Sequence, residues 1–167
     1  MSVNYLRWNA SIWGAETDFL DTDYDADGQI LRSKLVAVAP AVTLYVSAIN
    51  YQFTPTHELA VDIGGRPYSR NRGFTDSWNL VSTPYYFDPD GTQYADITNN
   101  SFLMSVISRR HLWIAFDGQG LNNRTTGIAN PLTLAVKVAF VGTSETINNA
   151  SATRIRNIQF QRKFRTD

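Results

Sequence analysis

Pro131-Leu132-Thr133-Leu134-Ala135-Val136-Lys137-Val138-Ala139-Phe140-Val141-Gly142 decides the fold class. Leu132, Leu134, Val136, Val138 and Phe140 occupy every second position, the period at which side chains alternate between the two faces of a strand. Pro131 and Gly142 punctuate its ends. The opposite face, Thr133, Ala135, Lys137, Ala139 and Val141, carries one charge, and from Leu35 to Ala48 both faces are largely apolar. Such strands are covered on both sides, and in a domain this small the expected second cover is another subunit.

The same period recurs outward from this run. Strands are expected at Leu35 to Phe53, where Pro40 marks a bulge or a passage between two strands, and at Leu59 to Ile63, Trp78 to Val81, Phe102 to Ile107, Leu112 to Phe116 and Ile155 to Phe164. Tyr85 to Tyr94 reads as a hairpin turning at Pro89-Asp90-Gly91. Gly64 to Thr75 and Gly118 to Asn130 are polar and read as loops. No apolar stripe of helical period and length occurs. The expectation is one all-β domain over residues 1–167, an antiparallel β-sandwich of jelly-roll type with eight to ten strands.

Composition narrows the function classes. The 167 residues hold 15 Lys+Arg against 15 Asp+Glu, so no global field favours a polyanion or an anionic membrane. The absence of cysteine removes disulfides, thiolate metal sites and thiol nucleophiles. Met1-Ser2-Val3-Asn4-Tyr5-Leu6-Arg7 has neither the basic start nor the apolar run of a signal peptide, and no stretch approaches a membrane span. Gly-x-Ser-x-Gly, His-Glu-x-x-His and phosphate-cradling glycine motifs are missing, and His57 and His111 lie in strand contexts without a neighbouring catalytic set, so no enzyme is expected.

The sharpest local signal is Asp21, Asp23, Asp25, Asp27 and Gly28. Oxygens at alternate positions before a glycine form the first half of a calcium loop, and Ile30 fits its eighth position. The twelfth, where a bidentate carboxylate belongs, is Lys34. Three readings stay open: a calcium loop completed from elsewhere, a solvated acidic turn, and a contact for a basic partner. The last has a counterpart in Arg154, Arg156, Arg162, Lys163 and Arg165 at the basic C-terminal end, residues 153–167, against the acidic residues 1–30. Opposite ends meeting within one subunit make ordinary pairs; meeting between subunits, they steer assembly. Arg66, Arg70 and Arg72 beside Tyr68 have the chemistry to bind nucleic acid, which the neutral balance disfavours. Trp78, Tyr85, Tyr86 and Tyr94 are the aromatics that a carbohydrate-binding module would expose.

In composition, strand spacing and Asn/Thr/Ser-rich loops the chain is similar in overall character to small jelly-roll structural proteins of virus and bacteriophage particles. The resemblance implies a structural virion protein that self-assembles into a homo-oligomer and contacts other particle proteins. The acidic N-terminal segment points to a vertex, decoration or tail component rather than a genome-contacting shell. The alternative is a lectin-like module with a glycan partner.

Overall fold

A computed structural model describes residues 8–38, 41–82, 103–118, 126–148, 150 and 153–165, without the side chains of residues 8, 45, 147, 153, 154, 164 and 165. Its elements are β1 (Trp8–Ala15), a 3-10 turn (Asp21–Asp23), β2 (Gln29–Leu31), α1 (Arg32–Val38), β3 (Ala41–Val46), β4 (Ala48–Val61), β5 (Pro67–Ser82), β6 (His111–Asp117), β7 (Leu134–Asn148) and β8 (Thr153–Arg165). Residues 103–107 add one helical turn. None of the described helices is long and apolar enough to cross a membrane.

The protein is all-β, with every strand pair antiparallel. The order β3-β1-β6-β7-β8-β5-β4, with β2 beside β7, makes one eight-stranded sheet. Two long strands fold it over. β7 pairs β6 through Val136 to Val138 and β8 from Ala139 onward. β3 pairs β1 and runs through Ser47 into β4, which pairs β5. The two ends of the strand order are therefore consecutive in the chain, and the sheet curls on itself around its core. The order describes one curled sheet; a jelly-roll arrangement of two separate sheets does not follow from it.

Inside the curl, Ile12, Leu44, Trp78, Leu80, Ile114, Val136, Ile158 and Phe160 are buried together. The alternation of β7 is met: Val136 and Val138 face this core. Its other face is covered from within the chain. Ala135 packs with Trp13, Trp113, Ala115, Ile30 and Leu35, the last two carried by β2 and α1. Around Ala135 the second cover of β7, expected from another subunit, is thus the segment between β1 and β3, while Ala139 and Val141 farther along that face stay exposed.

Three local expectations are corrected. Phe102 to Ile107 is helical over 103–107: Leu103, Val106 and Ile107 are buried at helical spacing, and the Ser108 and Arg109 amides close the turn on the Met104 and Val106 carbonyls. Leu35 to Val38 belongs to α1, which buries only Leu35 and leaves Val36 and Val38 exposed. Gly64 to Thr75 is mostly strand, since β5 begins at Pro67 and pairs β4 up to Val61; of that span only Gly64, Gly65 and Arg66 remain loop. The hairpin at Tyr85 to Tyr94 and the position of Pro40 lie outside the described residues.

One ion pair is built into the curl. Asp76 on β5 is 1% exposed and lies directly opposite Arg162 on β8. Arg162 donates Nε (3.0 Å) and Nη2 to Asp76 Oδ2 and Nη1 to the Asp27 carbonyl (2.6 Å), while Tyr51 donates its hydroxyl to Asp76 Oδ1 (2.5 Å). Removing one partner of such a pair strands the other charge. Asp76→Ala is expected to lower unfolding free energy by about 3–5 kcal/mol in urea titration, and the double variant Asp76→Leu/Arg162→Met to lose less than that.

Candidate functional site

The acidic turn is structured by its own carboxylates. Asp25 Oδ1 accepts the amides of Asp27 and Gln29 at 2.9 Å each, and Gly28 takes the left-handed conformation (φ 74°) that closes the turn. Asp23 accepts the Leu20 amide at 3.1 Å with one oxygen and the Lys34 ammonium at 2.5 Å with the other. The Lys34 hydrogen bond holds the Asp23 carboxyl below its ordinary pKa. The residue at the loop's twelfth position therefore places a cation where a calcium ion would be drawn. Asp21 and Asp27 are exposed, and no group of three or more His, Cys, Asp or Glu side chains converges among the described residues.

Next to this turn, Asp18 fastens the N-terminal cover to the sheet. It accepts the Tyr24 hydroxyl (2.5 Å), the Phe19 amide (2.8 Å) and the Lys137 ammonium, with His111 Nδ1 at 3.9 Å. Tyr24 in turn accepts the Trp113 indole N–H at 2.9 Å. Burial pushes the Asp18 carboxyl up, but the bonds from Lys137, Tyr24 and Phe19 outweigh it and leave the pKa lowered. Burial and the Asp18 carboxylate both push the Tyr24 phenol upward. Lys137, the single charge on the second face of β7, has this partner. Arg32 clamps the other end of the cover, bidentate on Asp117 at 2.7 and 2.8 Å and stacked over Trp13.

Of the basic C-terminal residues, Arg162 is committed to Asp76 and the acidic turn within the same chain. Arg156 is also buried, with Glu145 at 3.5 Å. Their expected role as an interface is not one their own positions offer, because each spends its charge inside the subunit. Lys163 is exposed, and the side chains of Arg154 and Arg165 lie outside the described residues. Trp78 is fully buried, its indole N–H donating to the Thr126 carbonyl at 2.6 Å, so it offers no stacking platform. Tyr85, Tyr86 and Tyr94 lie outside the described residues.

The least expected surface is the β4–β5 ribbon. β8 accompanies β5 only from Gly73 to Ser82, so among the described residues the two strands pair beyond Gly73 with each other alone, from His57↔Asn71 to Val61↔Pro67. A register shift between Pro55 and His57 adds a residue on β5, where Gly73 takes φ 121°. Bulges of this kind re-aim a strand. The tip closes through the Asp62 amide and carbonyl, with Gly65 left-handed (φ 79°). Leu59 is 76% exposed, Val61 63%, and Ile63 fully exposed. Glu58 pairs with Arg72 (2.5 Å), Asp62 with Arg66 (3.3 Å), and Arg70 donates to the Tyr68 hydroxyl (3.3 Å). The arginines read as a nucleic-acid loop are thus balanced on a strand pair. The signal for the ribbon was present in the alternating Leu59, Val61 and Ile63 ahead of Gly64-Gly65.

No protein-family model matches the chain, and a search of curated proteins finds no match.

Two outcomes follow. Asp18 titrates lower when folded than unfolded, so its stabilisation is complete above its ordinary value of 3.8 and is lost as pH falls through the lowered one. Melting temperatures recorded from pH 6 downward are expected to fall more steeply below about pH 4 in the wild type than in Asp18→Asn. With Lys34 seated on Asp23, melting curves in millimolar calcium and in chelator are expected to superimpose; a rise with calcium that Asp25→Asn abolishes would restore the calcium loop.

Proposed function

We propose that the protein is a non-enzymatic structural component of a virus or bacteriophage particle, and that it self-associates through the β4–β5 ribbon. The observation that carries this reading is the ribbon itself. Beyond Gly73 neither of its edges pairs with a further strand among the described residues, and Leu59, Val61 and Ile63 are exposed. An isolated two-stranded ribbon is marginal in water, and exposed apolar rows with unpaired edges favour a partner.

A second copy is the occupant that suits it. The ribbon carries Glu58 and Asp62 on its β4 side and Arg66, Arg70 and Arg72 on its β5 side, so its two edges differ in charge. Laid head to tail, with the β4 edge of one ribbon against the β5 edge of the next, two copies bring the carboxylates of one towards the guanidinium groups of the other and extend an open edge by a strand. The general likeness to particle proteins in composition and strand spacing supplies the virion assignment. A vertex, decoration or tail position is the form this proposal takes.

Sedimentation velocity tests it. The wild type is expected to form an oligomer at micromolar concentration, and Leu59→Asp/Val61→Asp to sediment as a monomer. Because both side chains are exposed, the variant's melting point as a monomer should stay within about 0.5 kcal/mol of stability of the wild type. A wild type that remains monomeric with and without salt overturns self-assembly, as does an oligomer indifferent to the double substitution.

A further inference from the structure

Where the first half of the curled sheet is covered by the N-terminal segment, the outward face of the second half exposes Asn50, Gln52 and Gln159. Its strands bring side-chain amides into register: Asn50 opposes Asn79, which opposes Gln159, and in the next outward row Gln52 opposes Ser77, which opposes Gln161. Rows on one face lie about 7 Å apart along a strand and the strands about 4.8 Å apart, so these groups form a close-set grid. A depression of about 620 Å³ lies over it, with no Asp, Glu, Lys, Arg or His among the described residues that line it. Val141, the extra residue of the register shift between Phe140 and Gly142, turns outward at one side and supplies an apolar spot.

The grid has unused bonding capacity. Asn79 Nδ2 donates to Asn157 Oδ1 at 3.1 Å, but Asn79 Oδ1 is buried and accepts no hydrogen bond. Each exposed carboxamide of Asn50, Gln52 and Gln159 offers both a donor and an acceptor. Gln161 is shared with a second depression of about 590 Å³, floored by the small Ala139 and ringed by Arg109, Arg110, Lys137, Arg162 and Lys163. Lys137 and Arg162 are neutralised by Asp18 and Asp76. Arg109, Arg110 and Lys163 have no carboxylate partner among the described residues. One surface therefore runs from an uncharged amide grid into a cationic end.

We propose that this continuous surface binds an acidic oligosaccharide. Carboxamides pair in two directions with vicinal hydroxyls, Val141 and Ala139 meet the C–H faces of the sugar rings, and the cationic end takes carboxylate or sulfate groups. A single-stranded nucleic acid fits less well. Among the described residues the rings that reach the two depressions, Tyr51, Trp78, Phe140 and Phe160, pack into the core and present no face for bases to stack on. The positive charge is also confined to one end, where a phosphate backbone needs it along the whole track. The proposal is independent of self-association through the ribbon, which lies beyond Gly73.

Titration calorimetry and saturation-transfer NMR on the full chain test it, with a galacturonate tetramer and a heparin-derived tetrasaccharide as acidic probes, maltotetraose as the neutral one, and decathymidylate as the nucleic-acid control. At least one acidic probe is expected to bind saturably, about tenfold or more tighter than maltotetraose. Arg110→Ala/Lys163→Ala should weaken it about tenfold and flatten its salt dependence. Asn50→Ala/Gln159→Ala should weaken it with the salt dependence kept. All four side chains are exposed, so the fold survives, as amide spectra will verify. No saturable binding of either acidic probe at millimolar concentration overturns the proposal. So does equal binding of decathymidylate, or indifference to the amide substitutions, either of which reduces the surface to a nonspecific polyanion patch.

Discussion

The Asp76–Arg162 pair is the constraint on which the second half of the sheet depends. Two charges out of water are tolerated only when their remaining bonding groups are filled. Here Tyr51 fills the free oxygen of Asp76, the Asp27 carbonyl takes the remaining guanidinium edge, and the cation lies over the Trp78 ring. β4, β5, β8 and the N-terminal turn thereby share one register, because a slip of one residue would turn every inward side chain outward. The packing around the pair leaves little slack: a Cβ on Gly127 would come within 2.4 Å of the Tyr51 ring. Trp78 is held from the same side by the Thr126 carbonyl.

Legibility followed the strength of the alternation. β6 and β7, where apolar residues recur at every second position around Leu112 to Phe116 and Leu132 to Phe140, were readable as strands, and with them the all-β class. The turn at 103–107 was not, since Leu103, Val106 and Ile107 span too few residues for a helical period to stand out from a strand. The start of β5 was hidden by composition. Arg66, Ser69, Arg70, Asn71 and Arg72 resemble loop residues, yet ladder hydrogen bonds come from the backbone and tolerate polar side chains on both faces when neither face is covered. The amide grid was visible in hindsight as Asn50-x-Gln52 and Gln159-x-Gln161, but which of those alternating positions faced outward depended on the register of four strands.

The charge asymmetry between the chain ends has a similar lesson. The acidic segment and the basic strand do meet, but through the Asp27 carbonyl and not through its carboxylate, and within one subunit. Asp18 and Asp23 are spent on Lys137 and Lys34, which rivet the cover to the sheet and close the turn. What remains for outside contact is therefore set less by where charges cluster in the chain than by which lack an internal partner. Among the described residues Arg109 and Arg110 have no carboxylate partner, two residues that no charge count of the chain ends would select.

The ribbon raises the question of why the chain keeps it. Inside the curl each paired residue gains burial, and Trp78, Leu80, Ile158 and Phe160 are fully enclosed. Beyond the bulge at Gly73 the backbone still pairs from His57 to Val61, but almost every side chain is exposed. Ordering a residue costs roughly 1–2 kcal/mol of backbone entropy, while a solvent-exposed ladder bond returns about 1 kcal/mol net. The ribbon contributes nothing to the core to offset that difference. Leu59, Val61 and Ile63 are the residues able to offset it, and they can do so only when something apolar covers them. On the proposed self-association a second copy would supply that cover, and the bulge at Gly73 sets the direction in which the ribbon is presented to it.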